Sequence, residues 1–331
     1  MAPPRRSVLI ARRLAEQPEA GLGDPHYSPH VLRHLCAIAD ERTSCGDRRG
    51  LQIAGLCCRL AGRLRTDDAR ARSFAQLASA LRAAGRLDHA DKAIGIGLAA
   101  APPHLEGDLL RRRAWVRIYQ KRLGAALADV EAALPLTGGS CHARTLEALG
   151  VVQGYRGEHR AAIRALGRCL EETDPSAGTD YCNAIHNYAT ALSRGTDAEA
   201  AKALELCAQL RPRLKYRHKI QRASLWWTEG LIHHRLGHAD AAWRSLNHGR
   251  RSLVALGAAA EVAAIVADMA RVSPQQPAVR LLCDEAAEVI GAHRGLLRPL
   301  RALAAAAREM IPDDAAALRQ AAGRLAACPA P

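Results

Sequence analysis

Apolar residues recur along the chain at three- and four-residue intervals, and the runs are cut short by Gly, Pro and Asp. "FAQLASALRAAG" places Phe74, Leu77 and Leu81 on one helical face and ends on Gly85. "LEALGVVQGYRG" does the same with Leu146 and Leu149 before Gly157. Strand-like alternation of Val, Ile, Thr and Tyr is missing, so the pattern predicts an all-α chain of many short helices.

The helices repeat in phase. "GRLDHADKAI", "GEHRAAIRAL", "GTDAEAAKAL" and "GHADAAWRSL" start at Gly85, Gly157, Gly195 and Gly237. Each has an Ala five residues after the Gly (Ala90, Ala162, Ala200, Ala242). A large apolar residue follows four later (Ile94, Leu166, Leu204, Leu246). "KRLGAALADV" is a degenerate copy with Lys121 in the Gly position, then Ala126 and Val130. The five starting positions, 85, 121, 157, 195 and 237, are 36, 36, 38 and 42 residues apart. Each Gly is expected to end a first helix in the left-handed conformation, which costs it no Cβ clash. Asp88 and Asp240 are expected to cap the second helix, and the small Ala to let the paired helices lie close. Pro102, Pro175 and Pro212 fall where second helices stop.

The flanks also read as helical. "RRSVLIARRLAE" is a short amphipathic helix, and "SPHVLRHLCAIADERT" and "GLQIAGLCCRLAGRL" form a pair, with Ser28 and Pro29 as N-cap and first helical residue. "AAEVAAIVADMARV", "AVRLLCDEAAEVIGAH", "RPLRALAAAAREM" and "DDAAALRQAAGRLAAC" continue the pattern beyond the repeats. The expected organisation is a helical cap over 1–69, about five repeats over 70–256, and divergent helical repeats with a cap over 257–331.

Composition supports this reading. The 331 residues are 49% hydrophobic but only 3% aromatic, so the apolar mass is Ala, Leu, Val and Ile. The net charge of +14 favours anionic partners, although only five of the 47 basic residues are Lys, a bias that genome composition alone produces. "RPRLKYRHKIQR" concentrates that charge in Arg211, Arg213, Lys215, Arg217, Lys219 and Arg222, with no acid between Leu206 and Thr228. It reads either as a solvated linker and helix face or as an anion-binding patch.

The ten Cys show no C-x-x-C spacing and sit mostly in apolar periodic runs, where Cys acts as a small hydrophobe. A reducing cytoplasm fits this usage. The five-residue apolar core "SVLIA" is short for a signal peptide, and no run is long enough for a membrane span. His233, His234 and His238 invite a metal reading, but Gly237 places His238 in a turn; His30 and His34 lack a third ligand at matching spacing. No phosphate loop, dinucleotide fingerprint, nucleophile elbow or H-E-x-x-H is present. The expectation is a non-catalytic protein with no metal and no cofactor.

The phased units resemble the tetratricopeptide repeat (TPR) family, a helix–turn–helix unit of about 34 residues with a W-x2-L-G-x2-Y, A-x3-F, P pattern. The segments from Phe74 to Pro102, Leu146 to Leu170 and Trp227 to Leu246 carry it best, with Gly230 and Ala242 at its small packing positions. The resemblance implies a superhelical solenoid of antiparallel helix pairs with divergent helical caps. It also implies that first helices line a concave groove that binds a segment of another protein. In that register Arg111, Trp115 and Tyr119 form one stripe, and Arg72, Ser79, Arg82, Tyr155, Trp227 and His234 occupy comparable faces. Nine of the eleven aromatics lie between Trp115 and Trp243, some of them expected to pack between repeats. The Lys and Asn of the chaperone-tail clamp are not at matching positions, so no chaperone tail is inferred. The function expected is an adaptor for a protein partner with an acidic or aromatic-rich segment. The alternatives are a regulatory sensor for a short peptide or small ligand, and a basic nucleic-acid-binding solenoid.

Overall fold

The structure, a computed structural model, describes residues 4–18, 28–44, 47, 49–214, 219–256 and 259–272. Fourteen α-helices and no strand occur among them: α1 Pro4–Glu16, α2 Pro29–Ser44, α3 Arg49–Leu64, α4 Asp67–Ala83, α5 Leu87–Ala99, α6 Pro103–Tyr119, α7 Leu123–Ala133, α8 Gly139–Arg156, α9 His159–Glu172, α10 Thr179–Leu192, α11 Asp197–Leu210, α12 Lys219–Arg235, α13 Ala239–Ala255 and α14 Ala259–Val272. The helical segments expected beyond Val272 lie outside the described residues. The chain divides into two compact units, Met1–Ala184 and Ile185–Pro331.

In the first unit α4 pairs with α5, α6 with α7 and α8 with α9, and each first helix also touches the next first helix along the row α2, α4, α6, α8. In the second unit α12 pairs with α13, and α14 packs on both. The core is correspondingly a series of local clusters. Ala71, Ala75, Ala78 and Leu81 of α4 meet Ala90, Ala93 and Ile94 of α5 and Leu105, Leu109 and Val116 of α6. Ala114 and Ile118 of α6 then meet Ala126 and Val130 of α7 and Ala148 and Val152 of α8. Each layer is buried by the adjacent helices in the row, which is how a repeat array builds a core from contacts between neighbouring repeats.

The small residues sit where the phase puts them. Ala90, Ala126, Ala162, Ala200 and Ala242 are all buried. A Cβ on Gly150 would meet Leu166 of the facing helix, and one on Gly230 would meet Leu246. The turns follow from the same slots. Gly85, Gly157 and Gly237 take φ values of +74°, +83° and +77°, and Lys121 takes +63° despite its side chain. Gly195 does not adopt this conformation. The turn there ends instead on Thr196, whose hydroxyl accepts from the Glu199 N–H while Glu199 returns a carboxylate to the Thr196 N–H.

The expected Asp caps do not form. The N-cap of α5 is Arg86 and that of α13 is His238, neither with a side-chain cap bond, so Asp88 and Asp240 lie inside the first turn, where their charge complements the positive end of the helix dipole. At the start of α2 the Ser28 hydroxyl accepts from the Val31 N–H at 3.3 Å, as expected. No helix among the described residues is long and apolar enough to cross a membrane.

Candidate partner-binding face

Because first helices in the first unit touch in order, side chains one repeat apart meet. Gln76 Nε2 donates to Asp40 Oδ1 at 3.3 Å, His104 Nε2 lies 3.0 Å from Asp68 Oδ1, and Arg144 Nη2 donates to Asp180 Oδ2 at 2.6 Å; each pair is 36 residues apart. Arg72 Nε donates to Asp68 at 2.9 Å. Arg112 donates through Nε to Asp108 at 2.9 Å and through Nη1 to Ser79 Oγ at 2.7 Å. Arg111 Nε also donates to Asp108, at 3.2 Å, and the residue is only 7% exposed. Burial alone would raise the Asp108 carboxyl, but the Arg112 and Arg111 guanidiniums outweigh it and hold it far below the usual carboxylate range. Arg72 and Ser79 of α4 and Arg111 of α6 are thus all bonded within this group of charged side chains, and Arg111, expected on a groove-lining stripe, is buried against Asp108 instead.

The other end of the same helices differs. The Arg82 guanidinium of α4 lies 5.9 Å from the Trp115 ring centre and 5.1 Å from that of Tyr119, both on α6. Next along the row, the Lys121 ammonium stands 4.2 Å over the Tyr155 ring. Trp115 is half-buried against the α6–α7–α8 core, whereas Tyr119 is 41% and Tyr155 51% exposed. Four of the residues expected from sequence therefore form one strip of rings and cations across α4, α6 and α8.

Trp227 and His234 belong to the second unit. Trp227 donates its indole N–H to Asp268 of α14 at 2.7 Å, and His234 is exposed in the last turn of α12. Arg211 of the basic run is bound. Its Nη2 donates to both carboxylate oxygens of Glu229, at 2.6 and 2.7 Å, and its guanidinium lies 4.3 Å from the Trp226 ring centre. Glu229 is buried and requires this cation; it falls just past the acid-free window that made the run look uncompensated. Arg213, Lys219 and Arg222 are exposed, while Lys215 and Arg217 lie outside the described residues.

Sequence reasoning missed a cavity of about 200 Å³ where α8 and α10 begin and α9 ends, lined by Arg144, Glu147, Cys169, Glu172, Asp174 and Asp180 among others. The only sequence signal was the 36-residue spacing of Arg144 and Asp180. Burial pushes the thiols of Cys58, Cys169 and Cys207 up to about 12, the opposite of an activated nucleophile. Cys36 is lowered by its hydrogen bond with Cys57 and by the Arg112 and Arg72 guanidiniums. Among the described residues no group of three or more His, Cys, Asp or Glu could hold a metal ion.

No family model and no curated protein matches the chain. Solved structures do. A chain of the APC/C hetero-tetramer Cut9–Hcn1 aligns with a TM-score of 0.61 at 14% identity, over 95% of this chain and 52% of that one. This chain thus spans about half the length of that relative. The apo form of RapI aligns with a TM-score of 0.59 at 14% identity, over 80% of this chain and 97% of that one. A Rap protein complexed with competence and sporulation factor aligns with a TM-score of 0.58 at 11% identity, over 98% of both chains. With its paired helices, left-handed turns and in-phase Ala and Gly contacts, the chain has the fold of the TPR-like helical-repeat solenoids.

Proposed function

We propose that this chain is a non-catalytic interaction scaffold that holds a segment of another protein on the first-helix row of its first unit, Met1–Ala184. The observation that carries the reading is the strip of Arg82, Trp115, Tyr119, Tyr155 and Lys121. Exposed Tyr rings on rigid helices are the residue type that supplies interface energy at low entropic cost. The group of charged side chains beside it fixes the helices that present the rings, because Asp40, Asp68, Asp108 and Asp180 each bridge or anchor first helices. A partner segment with acidic and aromatic side chains suits the strip. The Rap protein complexed with competence and sporulation factor has a like fold, which supports a peptide-sized ligand and keeps a sensor role as the second reading. Nucleic-acid binding has less support, since Arg72, Arg111, Arg112, Arg113, Arg117 and Arg144 are all paired with carboxylates.

The test is a double substitution, Tyr119→Ala with Tyr155→Ala, in the full chain. Capture of partner protein from the source cell should weaken at least tenfold, about 1.4 kcal/mol, at unchanged helicity. Undiminished capture by the double variant removes this face from consideration.

A further inference from the structure

The arginines of the first-helix row are not equivalent. Arg72 is bonded to Asp68, Arg111 and Arg112 to Asp108, Arg113 and Arg117 to Asp129, and Arg144 to Asp180. Arg82 is half-buried in the same row, yet among the described residues it meets no carboxylate; it contacts the rings of Trp115 and Tyr119. A ring face attracts a cation but leaves the five guanidinium N–H donors without the strong acceptors they are shaped for. Two aromatic walls also exclude water on their side, which strengthens any ion pair formed there. A carboxylate brought to this position would find a cation with its N–H donors uncommitted to any acid among the described residues.

The strip sets how that carboxylate is presented. Arg82 lies on α4, Tyr119 on α6 and Tyr155 on α8, three successive first helices. Packed helices stand about 8–10 Å apart, so the strip is about 16–20 Å long. An extended chain rises about 3.3 Å per residue and crosses it in about five or six residues. Among the described residues the row does not stop at Arg82: α2 packs beside α4 and continues it, with Asp40 bonded to Gln76. A chain crossing Arg82 thus has the α2 surface ahead of it.

Resting on the binding face described above, we propose that Arg82 binds the side-chain carboxylate of an Asp or Glu within an extended partner segment, whose neighbouring aromatic, leucine or proline side chains lie on Tyr119 and Tyr155.

An array of immobilised ten-residue peptides tests this with the full chain as probe. A central position is Glu, Gln or Lys, and the flanking positions vary among Gly, Leu, Pro and Tyr. The Glu peptides flanked by Tyr, Leu or Pro should be retained at least tenfold better than their Gln and Lys counterparts. Arg82→Gln should erase the preference for Glu over Gln while keeping the dependence on Tyr, Leu or Pro. Arg82→Glu should invert the preference toward Lys, a gain that an unfolded variant cannot show. Equal retention of Glu and Gln peptides, with retention lost in Tyr119→Ala Tyr155→Ala, overturns the Arg82 assignment and leaves the face standing. A preference for free over amidated C-termini, independent of Glu, overturns the side-chain assignment in favour of a chain end. No peptide retained, or retention indifferent to the Tyr substitutions, overturns both the assignment and the face.

Discussion

Two pairs of aromatic rings, one in each unit, stand in different surroundings. In the second unit Trp227 gives its N–H to Asp268, and Trp226 lies between His248, 4.5 Å away, and the Arg211 guanidinium. Asp268 and Glu229, the acids behind these contacts, are both buried. These rings tie α12 to α14, to α13 and to the turn after α11. In the first unit Tyr119 and Tyr155 are more than a third exposed, and the cation over Tyr119 meets no acid among the described residues. An aromatic residue on a first helix is thus no evidence of a binding surface. Between Tyr119 and the two Trp residues, what differs is whether an acid among the described residues holds the ring or its cation.

The sharpest way to break this comparison is to truncate a ring in each unit. Trp227→Ala should destabilise the second unit by about 2–3 kcal/mol, less than a fully buried aromatic because the ring is only partly buried, through lost packing and loss of the indole donor to Asp268. The urea midpoint by circular dichroism reports it; an unchanged midpoint would make Trp227 a surface residue like Tyr119. The hairpin frame, by contrast, should not distinguish the units. Ala162 and Ala242 are both buried at the same repeat position. Ala162→Leu and Ala242→Leu should each cost about 1–3 kcal/mol by overpacking, and a neutral result at either would refute the shared register.

The frame was legible in the sequence because it is written locally and repeated. A Gly followed by an Ala five residues on recurs with little change, and the phase was strong enough to place Lys121 in a slot that proves left-handed. The capping role of Asp88 and Asp240 misled because a short polar residue near a helix start serves equally as cap or as first-turn acid, and only the backbone decides. Some contacts between first helices can be read in the same way. Asp68 with His104 and Gln76 with Asp40 are 36 residues apart, so reading the chain at its own period brings them together. The pairs that decide which rings are free have no such period. Trp227 and Asp268 are 41 residues apart, and Arg211 and Glu229 are 18 apart. Tertiary contact alone joins them.

Acid should also separate the units. His186 of the second unit lies beside Thr228, and burial lowers its pKa from the ordinary value; His233 is lowered by burial and by His238. An unfolded His takes up a proton near pH 6.5, which the folded ring refuses until lower pH, so stability falls as pH drops from about 6.5. In the first unit Asp68 is held low by its bond with Arg72, and Asp108 by Arg112 and Arg111 against the cost of burial. Their stabilisation is full above about pH 4 and is lost only as pH falls through the depressed folded values. Between pH 7 and 5 the urea midpoint seen by tryptophan fluorescence should therefore decline, since Trp226, Trp227 and Trp243 all report on the second unit. His186→Gln should flatten that decline, and a decline of equal size in the variant would assign it elsewhere.

The smallest expected change in stability carries the comparison furthest. Tyr119 and Tyr155 sit near the C-terminal ends of α6 and α8, 41% and 51% exposed. Truncating either removes little buried area, and Ala is the better helix former, so the loss and the gain nearly cancel. Tyr119→Ala and Tyr155→Ala should each stay within about 0.5 kcal/mol of the parent midpoint. Each also withdraws a ring from a cation, and an exposed cation–π contact contributes about 0.5–1 kcal/mol. The Tyr119 change should therefore sit at the destabilising edge of that range, since Arg82 keeps Trp115 at 5.9 Å but loses its nearer ring. A loss above 2 kcal/mol at either Tyr would mean that the ring is part of the frame, as Trp227 is, and the distinction between the units would fail. A loss near zero, beside the larger effect at Trp227, would leave two rings held at the surface at no benefit to the fold, and the comparison between the units would stand.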